Sequence, residues 1–390
     1  MICEILFWTL IFLLFHSYIL YPFFLKIIFW LKPEKKVSET GKSFYPTVSI
    51  LMAVYNEEKV IRQKIESVFL TIYPKGEFGI FVGSDGSSDK TNNILTELSK
   101  KYNNLSVQFF KERKGKANVI NRLVNRAKGK IFIFTDANVL FDKNTIPELV
   151  TMFRDQETGL VDTNIINRGL KKDGISIQEK AYISMEVKTK NLEGKIWGTM
   201  MGPMGGCYAI RRELYLPVPD NLLVDDFYIN MKVLQKGKKA INNLNAKVYE
   251  DVSNDLGEEF RRKTRIATGD FQNFKLFFHM LWPPFRGLAF SFLSHKILRW
   301  FGPLFFFIVF FLNLVLAFKN TFYLSLFIFQ CILFILPFFD YLLRIIKIHV
   351  LILRFITHFW AMNVALLLGF VKFITGVKTN VWQPTKRQQV

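Results

Sequence analysis

The chain has 390 residues, of which half are hydrophobic, with a mean hydropathy of +0.19 and a net charge of +20. Its apolar residues are concentrated in the first 31 residues and after about residue 276, which predicts a membrane protein with a soluble middle region. No compact lysine and arginine run with interleaved aromatic residues occurs, so nucleic-acid binding is unsupported and contact of basic residues with anionic membrane lipids explains the charge better. Cys3, Cys207 and Cys331 form neither a metal-ligand pair nor a disulfide framework.

The first apolar run, residues 2–31, predicts an uncleaved transmembrane helix. It is too long for the core of a signal peptide, and no small-residue cleavage site follows it. Lys26, Lys32 and Lys35 lie near its carboxyl end, so the positive-inside rule predicts that the chain continues in the cytoplasm. Residues 32–46 are polar, carry a proline near each end and have the composition of a linker.

The next region, residues 47–273, alternates buried strands with amphipathic helices and predicts one α/β domain. Such alternation is typical of a doubly wound, mostly parallel sheet. The expected strands are residues 47–54, 78–83, 105–109 and 131–135, and the expected helices are residues 59–71, 90–101 and a helix that ends at 127.

Polar side chains follow each of these strands. In an open α/β sheet, ligands bind beyond the carboxyl ends of the strands, so Glu57, Asp85, Lys116 and Asp136 are expected to converge on a nucleotide site. Asp136 and Asn138 flank Ala137, and this oxygen pair can hold a divalent cation that in turn holds phosphate. The alternative for Asp136 is a residue that only caps a loop. Neither a G-x-G-x-x-G nor a P-loop motif occurs, so neither a dinucleotide-binding fold nor a P-loop ATPase is supported.

Several segments, in order, resemble the successive motifs of membrane-bound family 2 glycosyltransferases, a group with the GT-A fold that includes cellulose, hyaluronan and poly-N-acetylglucosamine synthases. The segments are Val54-Tyr55-Asn56-Glu57, Ser84-Asp85-Gly86-Ser87-Ser88-Asp89, Gly115-Lys116, Asp136-Ala137-Asn138, Gly202-Pro203-Met204-Gly205-Gly206, Val224-Asp225-Asp226-Phe227, residues 261–272 and residues 382–387. The similarity spans nearly the whole chain, which makes the series far more specific than any single motif.

The resemblance implies a role for each matched residue. It implies Asp226 as the catalytic base and a Mg²⁺ or Mn²⁺ ion held by Asp136 and Asn138. The residues implied in nucleotide binding are Tyr55, Glu57, Asp85, Lys116 and Asp136, and those implied in acceptor binding are Gly205, Gly206, Asp225, Arg262 and Arg265. Without the resemblance, an acid such as Asp85 in a Ser/Gly-rich turn is more often a turn residue than a ligand, and the adjacent acids Asp225 and Asp226 are more simply a helix N-terminus. Lys116 has the alternative of an ordinary solvated lysine.

The implied reaction is inverting transfer of a sugar from a nucleotide-diphosphate sugar, with UDP as the expected nucleotide, to a lipid-linked or glycan acceptor. Such transfer would serve cell-surface polysaccharide or glycolipid synthesis. Two departures from the family pattern matter here: Asn138 replaces a second acid, and Ile266 stands where the family has a tryptophan. The missing tryptophan favours addition of one or a few sugars. Both departures motivate an alternative, a catalytically silent subunit that scaffolds a membrane synthase complex. A transporter is a weaker alternative because it needs no soluble α/β domain.

The end of the chain returns to apolar composition. Residues 274–300 mix aromatic and basic residues and predict interfacial helices, residues 301–375 contain three apolar runs that predict transmembrane helices, and residues 376–390 form a basic tail. Three further spans would place this tail outside, which contradicts the positive-inside rule. We therefore expect a cytoplasmic tail, with either the last run lying on the surface or one span fewer. The expected location is the plasma (inner) membrane, with the catalytic domain in the cytoplasm.

Overall fold

The computed structural model describes residues 1–31, 44–169, 175–251, 253–284 and 286–377. The strands are β1 (Val48–Val54), β2 (Phe78–Asp85), β3 (Leu105–Phe110), β4 (Ile131–Thr135), β5 (Val139–Phe141), β6 (Thr158–Arg168), β7 (Cys207–Arg211) and β8 (Lys239–Asp251). The α-helices are α1 (Ile2–Phe15), α2 (Tyr21–Leu31), α3 (Ile61–Phe69), α4 (Thr91–Lys101), α5 (Lys116–Val124), α6 (Thr145–Thr151), α7 (Ser176–Trp197), α8 (Asp225–Gln235), α9 (Leu256–Phe277), α10 (Gly287–Ser291), α11 (Leu298–Trp300), α12 (Gly302–Ala317), α13 (Thr321–Ile345) and α14 (Leu351–Thr375). The motif at 382–387 and most of the expected linker lie outside the described residues.

The described chain divides into two compact units. The sheet unit contains residues 28–31, 44–169, 183–251 and 377, and the helical unit contains residues 1–27, 175–182 and 253–376 except residue 285. All strands named above belong to the sheet unit, and α9 to α14 belong to the helical unit. That residues 47–273 form one domain stays a prediction.

One eight-stranded sheet organises the sheet unit, in the order β3-β2-β1-β4-β7-β6-β8-β5. β1 pairs in parallel with β2 and β4, and β2 pairs in parallel with β3. The expected parallel half of the sheet is therefore confirmed, with strand bounds within two residues of those predicted. Because β1 and β4 are buried along their whole length, their mostly apolar sequences suit a sheet covered on both faces.

The second half of the sheet mixes strand directions, which the alternation of strands and helices did not predict in detail. β7 runs antiparallel to both β4 and β6, β8 runs parallel to β6, and β5 runs antiparallel to β8. β7 thus brings the segment that precedes it, with its glycines, to the edge where β4 ends. This pairing places two motifs that are 70 residues apart in the chain beside each other, as in Thr135 opposite Cys207.

Helices pack on the sheet through apolar faces. In α3, Ile61, Ile65 and Val68 join the core cluster that also contains Ile50 of β1. The loop before β4 approaches β1 closely at Gly129, where a Cβ atom would lie 2.5 Å from the Ser49 nitrogen. Only glycine fits such a close approach of two backbones.

The helical unit contains long apolar helices that pack against one another. Phe7 and Leu10 of α1 form a cluster with Val309 and Leu316 of α12 and Tyr323 of α13. α9 and α14 approach closely where Gly369 faces Ala267, since a Cβ atom on the glycine would lie 2.4 Å from the alanine Cβ. Small residues at such crossings let helix backbones come together.

Three helical segments of the described chain are long and apolar enough to cross a membrane: Ile2–Leu31, Thr321–Ile345 and Leu351–Thr375. A fourth candidate is a pair, Gly287–Trp300 with Gly302–Ala317, that is bent by 61°. The first of the three apolar runs expected within residues 301–375 therefore forms α12, a helix of 16 residues, which alone is shorter than the roughly 20 residues that a span needs. Whether residues 274–300 lie in the interface stays a prediction.

Candidate active site

The turn after β4 carries the first acidic side chain of the candidate site. The Asp136 N–H and the Thr135 hydroxyl both donate hydrogen bonds to the Gly206 carbonyl, at 3.0 and 3.2 Å. The Asp136 side chain keeps 38% of its surface exposed, and its Oδ1 accepts a hydrogen bond from Lys116 Nζ at 2.9 Å. The strand end therefore presents a carboxylate that is fixed at its backbone and accessible at its tip.

Lys116 connects this strand end to the acidic pair. Its Nζ lies 3.9 Å from Asp225 Oδ1 as well as 2.9 Å from Asp136 Oδ1. Burial alone would lower the pKa of Lys116, but the carboxylates of Asp136, Asp225 and Asp226 outweigh it and raise that pKa. Lys116 is therefore a fixed cation. It is the first residue of α5, and it follows Gly115, whose φ of +86° is readily adopted only by glycine.

Asp225 and Asp226 begin α8, where the helix dipole favours negative charge. Asp226 Oδ1 accepts a hydrogen bond from the Phe227 N–H at 2.8 Å. Burial, and then the charge of Asp225, raise the pKa of Asp226 to about 6. A carboxylate with this pKa is ionised at neutral pH yet basic enough to accept a proton, which suits a general base.

The glycine-rich loop that precedes β7 lies against Asp226. Gly205 has a φ of +83°, and a Cβ atom there would lie 2.5 Å from Asp226 Oδ2. Gly206 supplies the carbonyl that accepts from Asp136 and Thr135. The structure thus brings Lys116, Asp136, Asp225, Asp226, Gly205 and Gly206 together.

Buried polar side chains that the sequence analysis missed hold this loop from behind. The Met204 N–H donates to Asp162 Oδ2 at 3.1 Å, and the Met201 N–H donates to Glu193 Oε2 at 3.0 Å. Lys190 Nζ donates to the Pro203 carbonyl at 3.3 Å. A detectable signal was present: Asp162 is an acid inside the otherwise apolar start of β6, and Lys190 and Glu193 are three residues apart on one face of α7.

Asp85 has a supporting position rather than an exposed one. Its two carboxylate oxygens accept hydrogen bonds from the N–H groups of Lys114 and Gly115, at 2.7 and 3.1 Å, and the residue is fully buried. Asp85 therefore fixes the loop that presents Lys116. Its contact with the nucleobase or ribose stays a prediction.

The end of β1 forms the adjacent wall of the site. The Glu57 N–H donates to Thr91 Oγ1 at 2.8 Å, which ties this strand end to α4. The Tyr55 ring lies under the Arg113 guanidinium, with 3.5 Å between the guanidinium carbon and the ring centroid. A planar, cationic stack of this kind is suited to a nucleotide. The nucleotide-binding roles implied for Tyr55 and Glu57 stay predictions.

Arg262 and Arg265 lie on α9 in the helical unit. There Arg262 forms ion pairs with Glu259 at 3.1 Å and with Glu179 at 4.0 Å. The acceptor role implied for the two arginines stays a prediction.

The side chains near Asp136 fit a divalent cation that binds together with a diphosphate. Asn138 is held by a hydrogen bond from its Nδ2 to Glu250 Oε1 at 3.2 Å. No cluster of three or more His, Cys, Asp or Glu side chains that could hold a metal occurs within the described residues. One carboxylate and one amide match the habit of Mg²⁺, which takes few protein ligands and completes its shell with phosphate and water.

Tyr208 gives independent support for a ligand at this position. Its hydroxyl is buried and has no hydrogen-bond partner in the described part of the chain. Burial, together with the charges of Asp225, Asp226 and Asp136, raises the pKa of this hydroxyl, so it stays protonated. A buried hydroxyl without a partner beside three acids is a group that a bound water or substrate would satisfy.

Comparison with known proteins gives matches over most of the chain. The model of glycosyl transferase family 2 matches residues 49–216, and the model of glycosyl transferase family group 2 matches residues 133–369. A mannosyltransferase structure from Pyrobaculum calidifontis, solved in complex with GDP-Man and Mn²⁺, has a TM-score of 0.70 at 20% identity and covers 95% of this chain and 99% of that chain. At this identity the likeness shows the fold alone, and it confirms the expected GT-A fold.

Two curated relatives are similar in sequence. A beta-monoglucosyldiacylglycerol synthase of Trichormus variabilis is 29% identical over 36% of this chain. A dolichyl N-acetyl-alpha-D-glucosaminyl phosphate 3-beta-D-2,3-diacetamido-2,3-dideoxy-beta-D-glucuronosyltransferase of Methanococcus voltae is 26% identical over 63% of this chain. The matched region spans 31% of the first relative and 80% of the second.

The support of the glycine loop by Asp162 can be tested through stability. Replacing the buried Asp162 with Ala leaves the Met204 N–H without its acceptor, which should cost about 1–3 kcal/mol. Asp162→Asn keeps an acceptor oxygen and should lose clearly less. The measurement is the thermal unfolding midpoint of the purified protein in detergent. Equal destabilisation by the two variants would show that this hydrogen bond does not matter.

Proposed function

The chain belongs to family 2 of the glycosyltransferases, and we propose that it transfers a sugar with inversion from a UDP-sugar to a lipid-linked or glycan acceptor at a membrane. The observation that carries this proposal is the position of one ammonium group, Lys116 Nζ, between Asp136 at the end of β4 and Asp225 at the start of α8. The donor diphosphate and the proposed base, Asp226, would thereby both face the anomeric carbon of the donor sugar.

The leaving group would be stabilised on the Asp136 side. Lys116 would contact the diphosphate as charge develops on it, since its raised pKa keeps it cationic throughout the working pH range. Tyr55 and Glu57 would line the wall that receives the nucleoside, and Asp85 would hold the loop beside that wall in place. When bound, a Mg²⁺ or Mn²⁺ ion at Asp136 and Asn138 would neutralise further charge on the leaving diphosphate.

The acceptor would be activated on the other side, by Asp226. The acceptor oxygen would attack the anomeric carbon as its proton passes to the Asp226 carboxylate. The bond to the diphosphate oxygen would break, and the electron pair would leave with the diphosphate. A single displacement of this kind inverts the anomeric centre, so an α-linked donor would give a β-linked product. Gly205, Gly206 and Asp225 would line the acceptor side.

The proposed membrane arrangement removes a conflict in the topology. If the bent pair formed by Gly287–Trp300 and Gly302–Ala317 enters the membrane and leaves it on the same side, the chain crosses the membrane three times. An external N-terminus then places both the sheet unit and the basic tail in the cytoplasm, in agreement with the positive-inside rule. A lipid acceptor fits this arrangement, and diacylglycerol and dolichyl phosphate occur in the names of two relatives.

Asp226→Asn tests the proposed function most directly. The substitution keeps the shape and removes the base, so transfer should fall by about 10²–10⁴-fold while binding of nucleoside diphosphate stays within about twofold. The assay is release of nucleoside diphosphate from UDP- and GDP-sugars with Mn²⁺ in membranes that contain the protein. Normal transfer by the variant would refute the base. A wild-type protein that is silent with every donor would favour the alternative of a scaffolding subunit, which Asn138 and Ile266 motivate.

Gly205→Ala tests whether the loop positions Asp226, with Gly237→Ala as a matched control. Both glycines have positive φ, +83° and +73°, so both variants should lose about 1–2 kcal/mol of stability to backbone strain. Only the Cβ at 205 meets the Asp226 carboxylate, whereas nothing lies within 4 Å at 237. Transfer should fall on the order of 100-fold in Gly205→Ala and hardly at all in the control. Parallel loss of activity in both would assign the effect to strain.

The pH dependence of kcat/KM provides a test of how Asp226 is tuned. Because the base must be ionised, activity should fall as the pH drops through about 6. The charge of Asp225 raises the pKa of Asp226, so Asp225→Asn should move this acidic limb to lower pH. If the acidic limb of the profile had the same apparent pKa in Asp225→Asn as in the wild type, the titrating group would not belong to this acidic pair.

A further inference from the structure

A completely buried lysine lies behind the candidate active site, and the proposed mechanism does not use it. Lys64 is on the apolar face of α3, between Ile61 and Val68, and none of its surface is exposed. Lysine is almost never fully buried unless it has a partner. Its Nζ lies 3.9 Å from the centroid of the Phe141 ring and donates hydrogen bonds to Thr135 Oγ1, at 2.8 Å, and to the Val139 carbonyl.

The two oxygen acceptors of Lys64 bracket the 136–138 turn, the three residues that carry Asp136 and Asn138. One acceptor precedes the turn and the other follows it, so a single ammonium group fixes both of its ends. The turn is closed by a hydrogen bond from the Val139 N–H to the Asp136 carbonyl at 3.3 Å. Lys64 therefore controls the backbone from which Asp136 and Asn138 project.

Burial of Lys64 is costly, which argues for a role beyond filling space. Desolvation lowers its pKa to about 7, although nearby Cys207 and Asp136 act in the opposite direction. A leucine or methionine would fill the same apolar position without this penalty. The hydrogen bonds to the turn are the evident compensation within the described residues.

We propose that Lys64 is a positioning residue that holds the 136–138 turn in the conformation that binds a nucleoside diphosphate together with its divalent cation. This inference rests on the proposed function, because it assigns that ligand to the turn. Some residues do not bind a metal themselves but orient the residues that do. Their replacement typically changes metal affinity by about 10–100-fold. Lys64 would act in the same way, through the backbone of the turn.

Lys64→Met is the test variant because it keeps the length of the side chain and removes both hydrogen bonds. Val68→Ala is the matched control: it lies one turn further along α3, is buried in the same core, and should cost about 1–3 kcal/mol through cavity formation. The probes are Mn²⁺ with UDP and Mn²⁺ with GDP, measured by calorimetry and by the electron paramagnetic resonance signal of bound Mn²⁺.

Lys64→Met should weaken binding of the Mn²⁺–nucleotide pair by about 10–100-fold, whereas Val68→Ala should bind within about twofold of the wild type despite a lower unfolding midpoint. Raising the Mn²⁺ concentration should restore most of the transfer rate to Lys64→Met at a temperature well below its unfolding midpoint, where instability does not limit the rate, and should change that of Val68→Ala no more than that of the wild type. Unchanged affinity in Lys64→Met, or equal losses in both variants, would overturn the proposal.

A second pair of variants keeps the test decisive if Lys64→Met does not fold. Thr135→Val removes one acceptor of Lys64, and Thr135→Ser retains its hydroxyl. Binding of Mn²⁺ with nucleotide should weaken in the first and recover in the second, and equal binding by both would overturn the proposal. Failure of the wild-type protein to bind either Mn²⁺–nucleotide pair would instead refute the proposed function itself.

Discussion

The candidate site depends on one electrostatic constraint, the gathering of several carboxylates around a single ammonium group. Asp136 ends a strand, Asp225 and Asp226 begin a helix, and these acids would repel one another without a cation between them. Lys116 supplies that cation at 2.9 Å from Asp136 and 3.9 Å from Asp225. One ammonium does not balance all three charges, so the site retains a net attraction for a further cation, which is what a negatively charged diphosphate substrate needs.

The features that the sequence predicted well are those set by local pattern. Uninterrupted apolar runs such as residues 131–134 identify buried strands, and strict alternation with helices makes those strands parallel. Parallel strands place their carboxyl ends at one edge, so the convergence of Asp85, Lys116 and Asp136 followed from strand order alone. The roles within that convergence were less predictable: Asp85 fixes the loop before Lys116 through two backbone N–H groups, which no spacing rule reveals.

The features that the sequence did not predict depend on contacts between distant segments. The antiparallel placement of β7 beside β4 is set by tertiary packing, because its short apolar sequence is compatible with either direction. Asp162, Lys190 and Glu193 stand out locally as charged residues in buried elements, but the glycine loop that they hold comes later in the chain, so their partner is not visible in their own neighbourhood. Lys64 is similar, since within α3 it only interrupts an apolar face.

The pairing of β4 with β7 unites the two halves of the proposed reaction. The Gly206 carbonyl accepts from the Asp136 N–H on the donor side, while a Cβ atom on the preceding residue, Gly205, would lie 2.5 Å from Asp226 Oδ2 on the acceptor side. The separation between leaving group and base is therefore set by adjacent residues of one loop joined to one strand end. Lys64 donates a hydrogen bond to the end of β4, and Asp162 accepts one from the glycine loop. These two buried polar groups therefore restrict movement of the strand end and of the loop. Catalysis by displacement requires this rigidity, because an error of about 1 Å between reacting atoms costs on the order of 100-fold in rate.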